Sequence, residues 1–392
     1  MIVYVIAFAL TMLFIYWAKY YYNMYIRAHG VNVATFHGAK ARDLYFDAPA
    51  PILCYDKTNE KRYYRNYLIV FSLSVMPLFL LAALRYDVGT DYMYTYFPGF
   101  YKIMGGHLEY SEMGFNLLIM FIQVFTDNAQ WLFVVTGFLF AFFMINNAIK
   151  FTPYASISMV VVFFSCIFFA SLNIVRQSIS IMIIMAGVPY ILNKDFKRYL
   201  ICVLFGTLFH LSSLIMIIPY FIINFGFIKK HFLWCCIGAL VGLPILSKVM
   251  ELILFNTKYH YYFVSHFNNG NIDVMTLCYN AGTFIASYVL LRKAYKQNKF
   301  VYLLLVMQYC ALWISSLNLF IHIPTMIQRA VMHFSTYQML LVPQILRFQQ
   351  GNRNKLIALG AYVVPYFFYF LFNIVLWNMH DVWEYKWIFM PY

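Results

Sequence analysis

Arg85, Arg176 and Arg329 each sit at the end of a long apolar stretch, on a face of the chain where positive charge is otherwise scarce. A cation beside hydrocarbon is costly unless a partner answers it, so each is a functional candidate by position alone. The guanidinium group is a planar fork of donors matched to phosphate oxygens. Three of them on one face predict a pocket for an anion.

The residues around them sharpen that chemistry. Arg85-Tyr86-Asp87-Val88-Gly89-Thr90-Asp91-Tyr92-Met93-Tyr94 reads R-x3-G-x-D-x2-Y. Gly89 permits a tight turn that would fold Asp91 back towards Arg85, and a carboxylate there is a candidate general base for a sugar hydroxyl. The plainer reading is an interfacial Arg–Asp pair within a tyrosine belt. Glu109 and Glu112 precede a short apolar segment, with Gly114 two residues on. They are either catalytic acids or a helix start that favours negative charge. Asn173-Ile174-Val175-Arg176-Gln177 is a polar knot between two apolar runs, a donor cluster suited to diphosphate or sugar oxygens or else a capped turn. His210 interrupts the apolar run 199–227, where two short helices would meet around a hydrated or protein-lined break. It is a candidate phosphate donor or proton acceptor, against the simpler reading of a satisfied bundle histidine. Arg329 opens a later apolar run, with His322 a weaker candidate nearby.

These residues need membrane helices to position them. The chain has 392 residues, 63% hydrophobic, 21% aromatic and only 11% charged, whereas soluble domains carry about a quarter charged. Apolar stretches of spanning length recur throughout, which predicts an all-α polytopic membrane protein. Spans fall near 2–17, 67–84, 130–149, 154–171, 178–192, 232–247, 274–291, 300–318, 330–346 and 356–378, and 199–227 divides into two shorter crossings. Residues 113–126 are too short to cross and read as a re-entrant or surface helix. The total is about 12 crossings, within roughly 10–14. The first apolar run has no basic residue before it and no small-residue cleavage site after it, so it reads as a retained span.

The net charge of +14 does not point to nucleic acid. Of the 28 basic residues, 21 fall in segments that alternate onto one face, 18–66 among them, and the positive-inside rule makes that face cytoplasmic. Nine of the 14 acids fall on the other face, where 85–129 and 248–273 form the longer loops. The second of these is rich in Tyr and His and carries Asn268-Asn269-Gly270-Asn271. One integral membrane domain over 1–392 follows. The seven cysteines lack CxxC or Cys/His spacing, so neither a disulfide framework nor a metal site is indicated. There is no phosphate loop or nucleotide fingerprint, and no cofactor is expected.

The ordered set Arg85-x3-Gly89-x-Asp91-x2-Tyr94, Glu112-x-Gly114, Asn173-x2-Arg176-Gln177, His210-x-Ser212 and Arg329 resembles the EpsG-type, Wzy-like polymerases of bacterial surface polysaccharides, over roughly residues 67–345. The resemblance implies a GT-C-like membrane glycosyltransferase without nucleotide sugar. It would join oligosaccharide units carried on undecaprenyl diphosphate, at the outer face of the cytoplasmic membrane. Arg85, Arg176 and Arg329 would hold the donor diphosphate and His210 would assist. Asp91, or failing that Glu112, would be the base, and Tyr94, Asn173 and Gln177 would contact substrate. Lipid-linked oligosaccharides, a chain-length-regulating co-polymerase and a flippase are the implied partners. A lipid-linked saccharide flippase, an O-antigen ligase and a membrane acyltransferase are the competing readings. The flippase should show repeated halves and charge at mid-membrane, whereas these charges cluster at one mouth.

Overall fold

In hydrocarbon a backbone can satisfy its own polar groups only as a helix or a closed barrel. The computed structural model describes residues 1–28, 57–257, 260–264 and 272–389, and every regular element of more than an isolated bridge among them is helical. The chain is thus an all-helical, polytopic membrane protein. Residues 268–271, His266 and Cys54 lie outside the described residues.

The helices group into two units. The first comprises Met1–Ile215, Val342–Gln344 and Tyr366–Tyr392. It contains α1 (Ile2–Ala28), α2 (Lys57–Ala83), α3 (Phe97–Met104), α4 (Met113–Gln123), α5 (Gln130–Phe151), α6 (Ala155–Phe164), α7 (Ile167–Asn173), α8 (Val175–Ala186), α9 (Val188–Leu192) and α10 (Phe196–Thr207). Helices α1 and α2 pack along each other, α2 packs on α5, and α8 lies between α5 and α10. Close approach depends on small residues: a Cβ on Gly137 of α5 would lie 2.7 Å from Ala82 Cβ of α2, and one on Gly206 of α10 2.9 Å from Ser180 Oγ of α8. Small residues at helix contacts do the work that hydrophobic burial cannot do in lipid. An edge-to-face cluster of Tyr4, Phe8, Phe163, Phe168 and Phe169 fixes α1 against α6 and α7.

The second unit comprises Met216–Leu341 and Ile345–Pro365. It includes α11 (Ile217–Asn224), α12 (Phe232–Val241), α13 (Leu243–Phe255), α14 (Val274–Leu291), α15 (Lys299–Ser316) and α16 (Pro324–Ser335). Asp273 and Asn298 cap α14 and α15 by accepting the N–H groups of Thr276 and Val301 at 3.0 and 2.9 Å.

Six described helices are long and apolar enough to cross a membrane, or up to eight if each of two bent pairs is one span. The difference from about a dozen arises where apolar runs are broken. The run 154–171 bends by 60° between α6 and α7, where Cys166 takes a left-handed φ of 61°. The run 232–247 bends by 61° between α12 and α13. Residues 178–192 are divided between α8 and α9, and 199–227 breaks after α10, near His210, as the pattern indicated. Helix α4 has 11 residues, as a non-crossing segment requires. Helices α1 and α2 run on to Ala28 and back to Lys57, well into the segment assigned to the 18–66 loop.

Gly137→Ala should lower thermal stability in detergent by about 1–3 kcal/mol, the usual cost of overpacking. Gly238→Ala in α12, whose Cβ would meet nothing within 4 Å, should leave stability unchanged or raise it by up to about 1 kcal/mol. Equal shifts in the two proteins would contradict the close α2–α5 contact.

Candidate functional site

Three of the residues singled out by type converge in the first unit. Arg176 Nη1 donates to Glu112 Oε2 at 2.5 Å, and His210 Nδ1 lies 3.5 Å from Glu112 Oε1. Leu211 N–H donates to Glu112 Oε1 at 3.3 Å, and the Ser111 hydroxyl to Oε2 at 3.3 Å. The side chains of Arg176 and Glu112 are 22% and 5% exposed, so this is a largely desolvated pair rather than a surface one.

The local sequence explains how they meet. Glu112 is the N-cap of α4, but its side chain makes no cap bond there and turns across to Arg176 and Leu211. Gly114 makes this possible: a Cβ would lie 2.5 Å from Leu208 Cβ and 2.7 Å from Leu208 O. The chain instead closes there, and Phe115 N–H donates to Leu208 O at 3.2 Å. Arg176 stands in the first turn of α8, where the helix dipole disfavours a cation. The Glu112 carboxylate offsets that. The Arg176 guanidinium also lies over the Tyr110 ring, 4.6 Å from its centroid, and 5.8 Å from that of Phe115. Tyr110 is fixed by buried Asn116, which accepts from Tyr110 N at 3.2 Å and donates to Tyr110 O at 2.6 Å.

Burial works to raise the Glu112 carboxyl, but the contact with His210, the Arg176 and His210 charges and the Leu211 N–H together bring it down to about 2. Burial works to lower Arg176, and its interactions with Tyr96 and Glu112 outweigh that, holding it above its ordinary value. Among the described atoms, Arg176 Nε is buried without a hydrogen-bond acceptor.

Asp91 and Asn173 adjoin this cluster. Asp91 begins a π-helical turn, Tyr92–Tyr96, an irregular form common at functional sites. Its N–H donates to Asn173 Oδ1 at 2.7 Å, and its charge acts on Tyr96 and Tyr110, two of the partners of Arg176. Asn173 Nδ2 lies 3.0 Å from His380 Nδ1. Gln177 follows Arg176 and is buried.

Arg85 makes its hydrogen bonds to backbone carbonyls rather than to Glu112. It is 2% exposed, and its Nη1 donates to Val88 O at 3.0 Å and to Leu172 O. Its guanidinium lies 4.9 Å from the Phe133 ring centroid and 5.6 Å from that of Tyr92. Burial drags it down to about 10, so it stays charged at neutral pH. Gly89 has a φ of +96°, and a Cβ there would lie 3.0 Å from Leu172 O and 3.3 Å from Arg85 Nη1. The motif therefore builds a clamp between the 85–91 turn and the end of α7, with Arg85 directed to carbonyls. Tyr94 is 83% exposed. Glu109 pairs with Lys102 at 2.9 Å on an exposed surface. Arg329 belongs to the second unit, where its Nη1 donates to Tyr262 at 3.3 Å.

A model of the EpsG family matches residues 68–387. The chain belongs to the EpsG family. Neither a curated protein nor a solved structure matches it significantly. EpsG membership supports a polysaccharide polymerase role in general, and the match runs on past residue 345 to take in a C-terminal segment. That segment holds His380, which the sequence reading missed along with Tyr96, Tyr110 and Asn116. Asn116 was open to recognition, because it stands four residues after Glu112 inside an apolar helix.

The Glu112 carboxyl drops from an ordinary 4.5 to about 2 in the fold. Its ionised form therefore stabilises the protein above pH 4.5, and that contribution disappears as pH falls towards about 2. Glu112→Gln should destabilise the protein at neutral pH by about 1–3 kcal/mol, and the gap to wild type should close across that window in thermal unfolding. A gap unchanged at pH 2 would exclude an ionic role.

Proposed function

We propose that this EpsG-family protein polymerises oligosaccharide units carried on undecaprenyl diphosphate, with Arg176 gripping the donor diphosphate. The distribution of basic residues favours an active site on the outer face of the cytoplasmic membrane. The observation that carries the reading is the Arg176–Glu112–His210 cluster. A guanidinium group is held at the N-terminus of α8, where backbone N–H groups also favour an anion. A leaving diphosphate needs its developing charge stabilised, and preorganised donors in a water-poor site do this strongly. Arginine can supply that charge, so the step needs no metal.

In this reading Glu112 is the counter-ion that keeps Arg176 charged and aimed. A carboxyl held at about 2 is a weak base while so paired. That leaves Asp91, fixed by Asn173 beside the tyrosines of Arg176, to take the proton from the attacking hydroxyl. His210 donates to a phosphate oxygen, and Arg85 holds the turn that carries Asp91. The bond formed joins the acceptor oxygen to the anomeric carbon, and the bond broken releases the lipid diphosphate.

The test is reconstitution in vesicles with lipid-diphosphate oligosaccharide, read as ladders of longer product. Arg176→Ala, folded and inserted, should lose on the order of 100-fold or more in rate. Lys102→Ala, which removes only the exposed pair, should behave as wild type. Full ladders from Arg176→Ala would overturn the reading, and transport without elongation would favour a flippase.

A further inference from the structure

We infer that His380 is a positioning residue for Asp91, acting through Asn173. The inference rests on the polymerase reading in which Asp91 is the base. Residues 378–389 lie as a strap across the turn that carries Asp91. Gly89 N–H donates to Asp381 O at 2.9 Å and Thr90 N–H to His380 O at 3.0 Å, while Asp91 N–H goes to Asn173 Oδ1 at 2.7 Å. Three successive N–H groups are thus held, two by the strap backbone and the third by a side chain that the strap itself holds. Further along, Tyr86 N–H donates to Lys386 O at 3.0 Å, Ile388 N–H to Leu84 O at 3.1 Å, and Lys386 Nζ lies 3.3 Å from Asp87 Oδ2.

The Asn173 amide fixes the chemistry of the ring. Its oxygen is taken by the Asp91 N–H, so its NH₂ faces His380 Nδ1, 3.0 Å away. Nδ1 must then accept, and the ring is neutral with its proton on Nε2. A donor at that position would oppose N–H to N–H, and turning the amide over would release Asp91. The backbone is held in an unusual conformation to present this nitrogen. Asn378, His380 and Asp381 have φ of 44°, 76° and 52°, and each such residue persists only where its surroundings enforce it. Asn378 does so locally: its Oδ1 accepts from Val382 and Trp383 N–H at 3.2 and 2.9 Å, and its Nδ2 donates to Asp381 Oδ1 at 3.0 Å.

Two substitutions separate this role from folding. His380→Gly tolerates the positive φ and removes the acceptor. His380→Asn also tolerates it and restores an acceptor oxygen near the Nδ1 position. In the full-length protein with lipid-diphosphate oligosaccharide, His380→Gly should lose about tenfold in rate, as one hydrogen bond implies, and His380→Asn should recover most of it. In protein labelled with ring ¹⁵N histidine, one Nε2–H tautomer signal should vanish in both variants. Wild-type rates from His380→Gly, equal losses in both variants, or an Nδ1–H tautomer at this site would overturn the assignment. Should wild type form no ladders, the polymerase reading itself fails, while the tautomer signal still decides whether His380 holds Asn173.

Discussion

A guanidinium group in the first turn of a helix, mostly withdrawn from water, faces two penalties at once: lost solvation and an opposing helix dipole. Glu112 answers both for Arg176, and much of the surrounding structure serves that pairing. Gly114 removes the side chain that would hold α4 away from Leu208, which brings the carboxylate to within reach. Tyr110 and Phe115 supply ring faces to the guanidinium, and Asn116 fixes Tyr110 in turn. The same carboxylate takes the Leu211 N–H at the break where His210 stands. One acid thus ties together the starts of two helices and the interruption of a third segment.

Breaks, rather than spans, build the site. Arg176 follows the break between α7 and α8, Glu112 precedes α4, His210 follows α10, and Asp91 opens a π-helical turn. Each frees backbone groups that a continuous helix would have consumed, and each is re-satisfied within the protein, as irregular backbone at depth requires. Arg85 and the C-terminal strap both serve the same end at the 85–91 turn. The first ties the Val88 carbonyl to that of Leu172 at the end of α7, and the second takes up the Tyr86, Gly89 and Thr90 N–H groups.

Much of this was readable from residue type. In a chain with so few charges, Arg176, Glu112 and His210 stand out because each must find a partner, and here they find one another. Arg85 stood out for the same reason, yet its fork is directed to carbonyls, an outcome that depends on where Leu172 falls in space and not on spacing. Tyr96 and Tyr110 were invisible among 35 tyrosines, and His380 was invisible because its partner lies 207 residues away in sequence. The helical class follows from composition, but an apolar run does not reveal a left-handed residue inside it. Cys166 bends one such run by 60° without altering its hydropathy.

The central claim is that Arg176 and Glu112 form one energetically coupled, desolvated unit. A double-mutant cycle at neutral pH, with Arg176→Gln, Glu112→Gln and the pair together followed by thermal unfolding, measures it directly. Contacting charges predict a coupling of about 1–3 kcal/mol, with the double variant less damaged than the sum of the single ones. Strict additivity of the two substitutions would contradict the account.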